Sequence, residues 1–402
     1  MALIPVDEAK ARILKGASPL PRETVALHHC AGRVLAADIK AKRDQPPFPA
    51  SAMDGYAVRF ADVGQAPVRL AVVGTAPAGH GFKGQVGPGQ AVRIFTGAPV
   101  PKGADTVVIQ ENTEAADGAV RVNVAAQRLG QHIRRQGLDF TKGESLLRRG
   151  TWLGAREVGL AAAMNWPTLP VIRRPRVAIF TTGDELVSPG RTPKSDQIVS
   201  SNSFALAAFV RRYGGEAIDL GIIPDRLGAI SRAIGKAYGA DILLTTGGAS
   251  VGDHDLVQSA LKEAGIELDF WKIALRPGKP LMFARDRRRR ILGLPGNPVS
   301  ALVCARIFLK PLIFSLLGLS VTSPDTVKAR LGAPLAANDL RQDYLRAEVS
   351  RGDDGSYRAA PLKVQDSSMQ RALTEAQGLI VRPPLAPEAH EGDMVDVILM
   401  DF

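Results

Sequence analysis

The 402 residues exceed what one hydrophobic core supports, so about two to four domains are expected. A hydrophobic share of 45% and a mean hydropathy near zero fit a soluble globular chain with ample core material. The formal charge of +11 admits nucleic acid, an anionic surface or an acidic small substrate as partner, but a 5% aromatic share argues against stacking platforms for single strands.

In chain order, residues 5–16 predict an amphipathic helix through Val6, Ala9, Ile13 and Leu14, closed by Gly16. Residues 17–45 hold a helix-like piece ending near Gly32, then the proline-rich boundary Gln45–Pro49. Short β segments follow from 46 to about 140, at Val68–Val73, Ala91–Phe95, Thr106–Gln110 and Val120–Val124, as in a compact β domain. Helical spacing returns over 141–170, with Ala155–Asn165 stopped by Trp166–Pro167. From 171 to 320 strands (176–181, 217–223, 241–246) alternate with helices (202–213, 226–238, 255–264). A β segment over 267–275, a hairpin and a helix over 298–317 close this region. Such alternation predicts right-handed crossovers onto a mostly parallel sheet. Past Thr322 the pattern is β again, at Thr326–Leu331, Asp343–Ser350, Tyr357–Pro361, Gly378–Val381 and Asp393–Leu399. With a helix near 367–376, that predicts a small barrel or sandwich.

Several functions lack support. The two cysteines, Cys30 and Cys304, have neither zinc nor disulfide-framework spacing. The six histidines include no H-x-x-x-H or H-x-H pair, and His28, His29 and His254 read as surface or loop residues. The start, Met1–Lys10, carries acidic residues and no long apolar core, so no secretory signal is expected. Val299–Leu319 is apolar but interrupted by Arg306, Lys310 and Pro311, which would be costly in a bilayer. A cytoplasmic location with no membrane partner is the expectation. The basic run Arg285–Arg290 lies between two apolar segments and reads as a hairpin tip. No nucleic-acid module surrounds it, so no nucleic-acid partner is expected.

Three glycine-rich turns concentrate the chemistry: Thr181–Glu185, Thr245–Asp255 and Leu294–Pro298. Each follows a short apolar run, Val177–Phe180, Ile242–Leu244 and Ile291–Leu292, and precedes helix-like sequence. In α/β sheets ligands sit beyond the strands' carboxyl ends, where backbone N–H groups and helix N-termini favour anions. The first turn offers Asp184 and Glu185, the second Ser250, Asp253 and Asp255. Acids beside such loops suit Mg²⁺ bridging to phosphate oxygens; without phosphate they are caps and solvated loop residues. Trp271–Lys279 gathers Lys272, Arg276 and Lys279 around a Pro-Gly turn, either an edge-strand charge device or a tetrahedral oxyanion site. Asp54-Gly55, Phe95–Pro101 and Ile133–Asp139 are, taken singly, ordinary turns.

Taken together and in order, these motifs resemble the molybdopterin molybdenumtransferase family of molybdenum cofactor assembly, which includes the gephyrin E domain. The matching stretches are Ser51–Ala57, Thr96–Pro101, Thr182–Leu186, Gly247–Gly252, Pro277–Pro280 and Leu294–Ser300, spread over almost the whole chain. The resemblance implies a multidomain α/β and β fold. Its parts would be an N-terminal helix (1–20) packing with the α/β domain, a small linking α/β domain (21–45 with 140–170), an inserted β domain (46–139), a three-layer molybdopterin-binding α/β domain with a mostly parallel sheet (171–321), and a C-terminal β barrel or sandwich (322–402).

It further implies Mg²⁺-dependent insertion of molybdate into adenylylated molybdopterin with release of AMP. By match, Asp54, Asp139, Glu185, Asp225 and Asp255 are the catalytic acids. Glu185 and Asp255 are the magnesium ligands, with Asp253 the rival of Asp255. The substrate contacts implied are Thr96, Gly183, Gly247, Gly248, Ser250, Lys272, Arg276, Lys279, Pro295, Pro298, Arg346 and Ser367. Many relatives have Lys-Pro-Gly-Lys where this chain has Arg276-Pro-Gly-Lys279, and arginine keeps the charge but alters the geometry. A homodimer with a shared active site is implied, as are contacts with the upstream adenylyltransferase and downstream molybdoenzymes or chaperones. Two alternatives stand beside this: a molybdopterin adenylyltransferase, normally one short domain, and a non-enzymatic cofactor carrier or scaffold, which would not need the intact acids.

Overall fold

The β-branched runs of the middle region are apolar on both faces, so they need cover on both. The computed structural model, which describes residues 3–247, 256–320 and 326–402, pairs them into one six-stranded sheet. The strand order is Glu216–Ile223, Arg176–Thr182, Ile242–Thr246, Arg290–Leu294, Met282–Arg285, Leu268–Trp271. The first four run parallel, with Val177 opposite Ile242 and Ile242 opposite Arg290, and the last two are antiparallel. Val177, Ile179, Phe180, Leu243, Leu244, Ile291 and Leu292 are fully buried. Each such side chain contributes about 1.5–3 kcal/mol of burial. Helices Leu227–Lys236 and Leu256–Glu263 cover one face, setting Ile230, Ile234, Val257 and Leu261 against Phe180, Leu243 and Ile291. Asn202–Arg212 packs on the strands Arg176–Thr182 and Glu216–Ile223. The parallel strands therefore end on one edge, where the three turns begin.

Pro298–Leu317 is long and apolar enough to cross a membrane, but most of it is buried as a core helix. Its neighbour Val6–Leu14 buries Val6, Ala9 and Ile13. The C-terminal strands close on themselves in the order Gln342–Arg351, Tyr357–Pro361, Thr326–Leu331, Met394–Leu399, Gly378–Arg382 and back to the first. Ala329, Leu331, Ala347, Ala359, Ile380 and Val397 fill the barrel, and closure removes exposed edges. The sheet, this barrel and the N-terminal helix belong to one compact unit, made of residues up to Glu23, Gly32–Val34 and Ile172–Phe402.

The second unit comprises Thr24–Ala31 and Leu35–Val171. Its six-stranded sheet runs Thr106–Ile109, Gly55–Val58, Gln90–Ile94, Val68–Ala76, Ala119–Val122, Thr113–Ala116. Period-two alternation sends Tyr56 and Val58 into one apolar cluster and Ala57 into another. A further core gathers Leu35, Ile39, Phe140, Leu153, Met164 and Leu169. The whole is a multidomain α/β and β fold.

Two local expectations fail. The helix-like piece before Gly32 is instead the strand Arg22–Ala26 and a tight turn, Leu27–His29. Leu27 donates its N–H to Pro167 O, a partner far along the chain. The single β segment over 267–275 breaks in two. Leu268–Trp271 stays in the sheet while Leu275–Arg276 pairs with Gln342 and Asp343 of the barrel. The break falls at Lys272, whose φ of 70° turns the chain, and Ala274 donates its N–H to Ile4 O.

Candidate active site

The second turn opens at Gly247, with φ +80°, where a Cβ would stand 2.2 Å from Thr182 O. Only glycine allows strand ends this close. The third turn, Pro295–Asn297, leads into the core helix with Pro298 in its first turn. In the first, Glu185 O accepts from Ile198 N–H (2.8 Å), part of an unforeseen parallel pairing of Leu186–Val187 with Ile198–Val199.

These turns border a cavity of about 740 Å³, within the ~300–1,000 Å³ range of small-molecule sites. Glu185, Gly247, Arg276, Lys279, Pro295 and Ser367 all line it, with Asn297, Ser300, Arg341, Gln365 and Asp366. A second cavity, of about 390 Å³ beside Asp7, Lys10 and Tyr344, contains none of the turn residues.

The cations divide sharply. Lys279 lines the cavity, is exposed, and its side chain makes no hydrogen bond or ion pair among the described residues. Arg276 also lines it, but its fork faces the barrel. Nε donates to Asp343 (2.9 Å), Nη2 pairs with the same carboxylate and also reaches Asn338 (3.1 Å), and Nη1 reaches Asp339 (3.4 Å). Burial pushes the Asp343 carboxyl up and Arg276 offsets this. Lys272 lies outside the lining, its Nζ 3.7 Å from the Trp271 ring centroid. Arg346 is fully buried rather than facing the cavity. It donates to Asp366 O (2.9 Å) and Val364 O (3.2 Å), so it braces the loop that presents Ser367. Ser367 accepts from Asn297 Nδ2 (2.7 Å), and its carbonyl takes the Val299 N–H (3.1 Å). Pro298 has no N–H and is not in the lining, which leaves Ser300 as the first-turn residue on the cavity.

Sequence reasoning missed Arg341. It lines the cavity and is oriented by Asp339, whose carboxyl its side-chain and backbone donors bring down to about 2. The sequence neighbourhood of Arg341, with Asp339 two residues before it, carries no specific signal.

Among the acids, Asp225 donates its N–H to Asp184 Oδ1 (3.2 Å). Burial first, then the charges of Asp184 and Glu185, raise its pKa. No group of three acids, histidines or cysteines disposed for a metal occurs among the described residues. Gly248, Ser250, Asp253, His254 and Asp255 lie outside the described residues. Gly183 sits at the start of the first turn with φ +151°.

Asp54 and Thr96 come together within the second unit. Asp54 Oδ1 accepts both the N–H and the hydroxyl of Thr96, each at 2.7 Å. The backbone bond first, then the hydroxyl and nearby Arg93, pull its pKa below the usual carboxylate value. Asp139, also in this unit, is exposed and anchored by its N–H to Gln45 O (2.9 Å). Asp44 was not foreseen: it accepts from Lys142 N–H (2.7 Å) and Gln136 Nε2 (2.6 Å), pinning the loop that presents Asp139.

Comparison with known proteins shows the family. Three family descriptions match: the MoeA N-terminal region (domain I and II) over residues 4–165, the probable molybdopterin binding domain over 178–315, and the MoeA C-terminal region (domain IV) over 328–400. A molybdopterin molybdenumtransferase of Haemophilus influenzae is 33% identical over 98% of both chains. One from Nostoc is 42% identical over 80% of this chain and 76% of its own. The crystal structure of the molybdopterin biosynthesis MoeA protein from Pyrococcus horikoshii superposes with a TM-score of 0.83 at 31% identity, covering 99% of each chain. The chain therefore belongs to the molybdopterin molybdenumtransferase family, enzymes of molybdenum cofactor biosynthesis.

Proposed function

We propose that this enzyme inserts molybdate into adenylylated molybdopterin, with Mg²⁺-dependent cleavage of the adenylate and release of AMP. The observation behind this is one cavity that joins an unpaired cation, Lys279, to an acidic turn at Glu185 and the glycine backbone of Gly247. A doubly charged oxyanion needs preorganised cations and N–H donors, and Lys279, Arg341 and Ser367 are the candidates for holding it. Arg276, which shares Asp339 with Arg341, and Arg346, which braces the Ser367 loop, act by shaping those neighbours. The pterin and its adenylate are assigned to Gly183, Gly247, Gly248, Ser250, Pro295 and Thr96.

The acid set suits a hard divalent ion. Asp225 is destabilised by burial and by Asp184 and Glu185, a repulsion that a cation would relieve. Glu185 and Asp225, with Asp255, would hold Mg²⁺, which takes few carboxylates beside phosphate and water. Bound there, it would neutralise phosphate oxygens as AMP departs. Asp54, with its charge fixed by Thr96, and Asp139 are assigned to the same reaction. Because both lie in the second unit, we propose a homodimer in which one subunit completes its partner's site.

The test is to incubate the protein with adenylylated molybdopterin, Mg²⁺ and molybdate, and to assay AMP and active cofactor. Molybdate-dependent AMP is expected. An adenylyltransferase would instead consume ATP and unmodified molybdopterin, and a carrier would bind without turnover.

A further inference from the structure

We infer that Asn202 is a positioning residue that fixes the second and third turns against each other and so sets the oxyanion geometry. The inference rests on the cavity being the substrate site. Asn202 opens the helix Asn202–Arg212, where an asparagine would ordinarily serve its own helix end. Its side chain is 8% exposed and points across the sheet edge instead. Nδ2 donates to Gly296 O at 2.7 Å and to Thr246 Oγ1 at 3.3 Å. An amide nitrogen has two hydrogens, and here one meets a carbonyl and the other a hydroxyl.

The place is specific. Strand pairing between the two elements ends at Thr246 opposite Leu294. A Cβ on Gly296 would lie 3.7 Å from Gly247 Cα, so the two backbones run side by side with no side chain between them. Asn202 carries the tie past the end of the ladder. The next residue, Asn297, donates to Ser367, so displacement of Gly296 would pass directly to that contact. Helix, strand end and third turn thus meet through one buried amide, and Asn297 extends the tie to the barrel loop. Asn202→Asp would set a carboxylate oxygen against the Gly296 carbonyl; Asn202→Ala would leave that carbonyl and the Thr246 hydroxyl short of a donor.

The test compares Asn202→Ala, Asn202→Asp, Thr246→Val and the Asn202→Ala/Thr246→Val double variant. Half-saturating molybdate should rise about 10- to 100-fold in Asn202→Ala, the usual cost of losing an orienting contact. The half-saturating concentration of adenylylated pterin should stay near wild type. The double variant should lose less than the product of the single losses. Hydrogen exchange should accelerate only in peptides spanning Thr246–Gly247 and Pro295–Asn297. Unchanged exchange there overturns the inference, as does a fall in kcat with unaltered molybdate dependence, or fully multiplicative losses. If wild type releases no molybdate-dependent AMP, the functional reading fails, and exchange still decides whether Asn202 ties the turns.

Discussion

Asp54 and Asp225 carry the same carboxylate in opposite electrostatic settings. Asp54 is held as an anion by two hydrogen bonds from Thr96 and by the charge of Arg93. Asp225 is pushed toward protonation by burial and by Asp184 and Glu185. The first acid is satisfied by the protein alone and has a fixed geometry. The second carries a charge that burial and two neighbouring acids penalise, and it would gain from a cation. Perturbed acids cluster at functional sites, so under the proposed function the contrast separates a positioning acid from an ion-binding one.

The largest expected effect is at the ion-binding end. Glu185→Ala should lower AMP release on the order of 100-fold or more at saturating Mg²⁺, with the melting temperature retained; single-turnover assays would detect it, and near-normal turnover at limiting Mg²⁺ would remove the assignment. Mixing Asp54→Ala with Glu185→Ala subunits sharpens the contrast further. Random exchange should restore roughly a quarter of wild-type activity, because half the dimers are mixed and each then has one complete site. Light scattering showing a stable, active monomer would refute the sharing.

Smaller effects test the electrostatics. Thr96→Val removes the hydroxyl donor and leaves the backbone one, so the Asp54 pKa should rise toward its ordinary value. Activity that requires the carboxylate is lost as pH falls through that pKa, so the acid limb of the pH–rate profile should move to higher pH. Asp225→Asn should act in reverse on stability. Ionised Asp225 is penalised in the folded state, so at neutral pH the variant should melt slightly higher. The difference should vanish below about pH 3.9, where an unfolded aspartate is protonated as well. Mg²⁺ should stabilise wild type more than this variant.

Much of the fold was legible because its strands are buried on both faces. Runs such as Val177–Phe180 and Ile242–Leu244 leave little choice besides central parallel strands. The stretch Ile273–Arg276 was not legible, since its partners, Ile4 for Ile273 and Gln342 and Asp343 for Leu275 and Arg276, are remote in sequence and local pattern carries no trace of them. The same holds for the piece before Gly32. Within the site, Lys279 and Glu185 could be found through their motifs and Ser367 through the family resemblance, and one cavity gathers them. Arg346 is implied as an anion contact by the family resemblance alone. Its guanidinium is instead consumed by carbonyls of the loop it supports, a difference that only the tertiary packing decides. Arg276 is similar: charge was readable, direction was not.

The most direct measurement of the central claim is the molybdate dependence of AMP release in Lys279→Ala. Losing one charged hydrogen-bond donor should cost about 1.5–3 kcal/mol of oxyanion affinity. Half-saturating molybdate should then rise roughly tenfold or more. Affinity for adenylylated molybdopterin should fall less, and sulfate should compete weakly. Unchanged molybdate dependence with weakened pterin binding would contradict the account, making Lys279 a phosphate clamp and moving the oxyanion elsewhere.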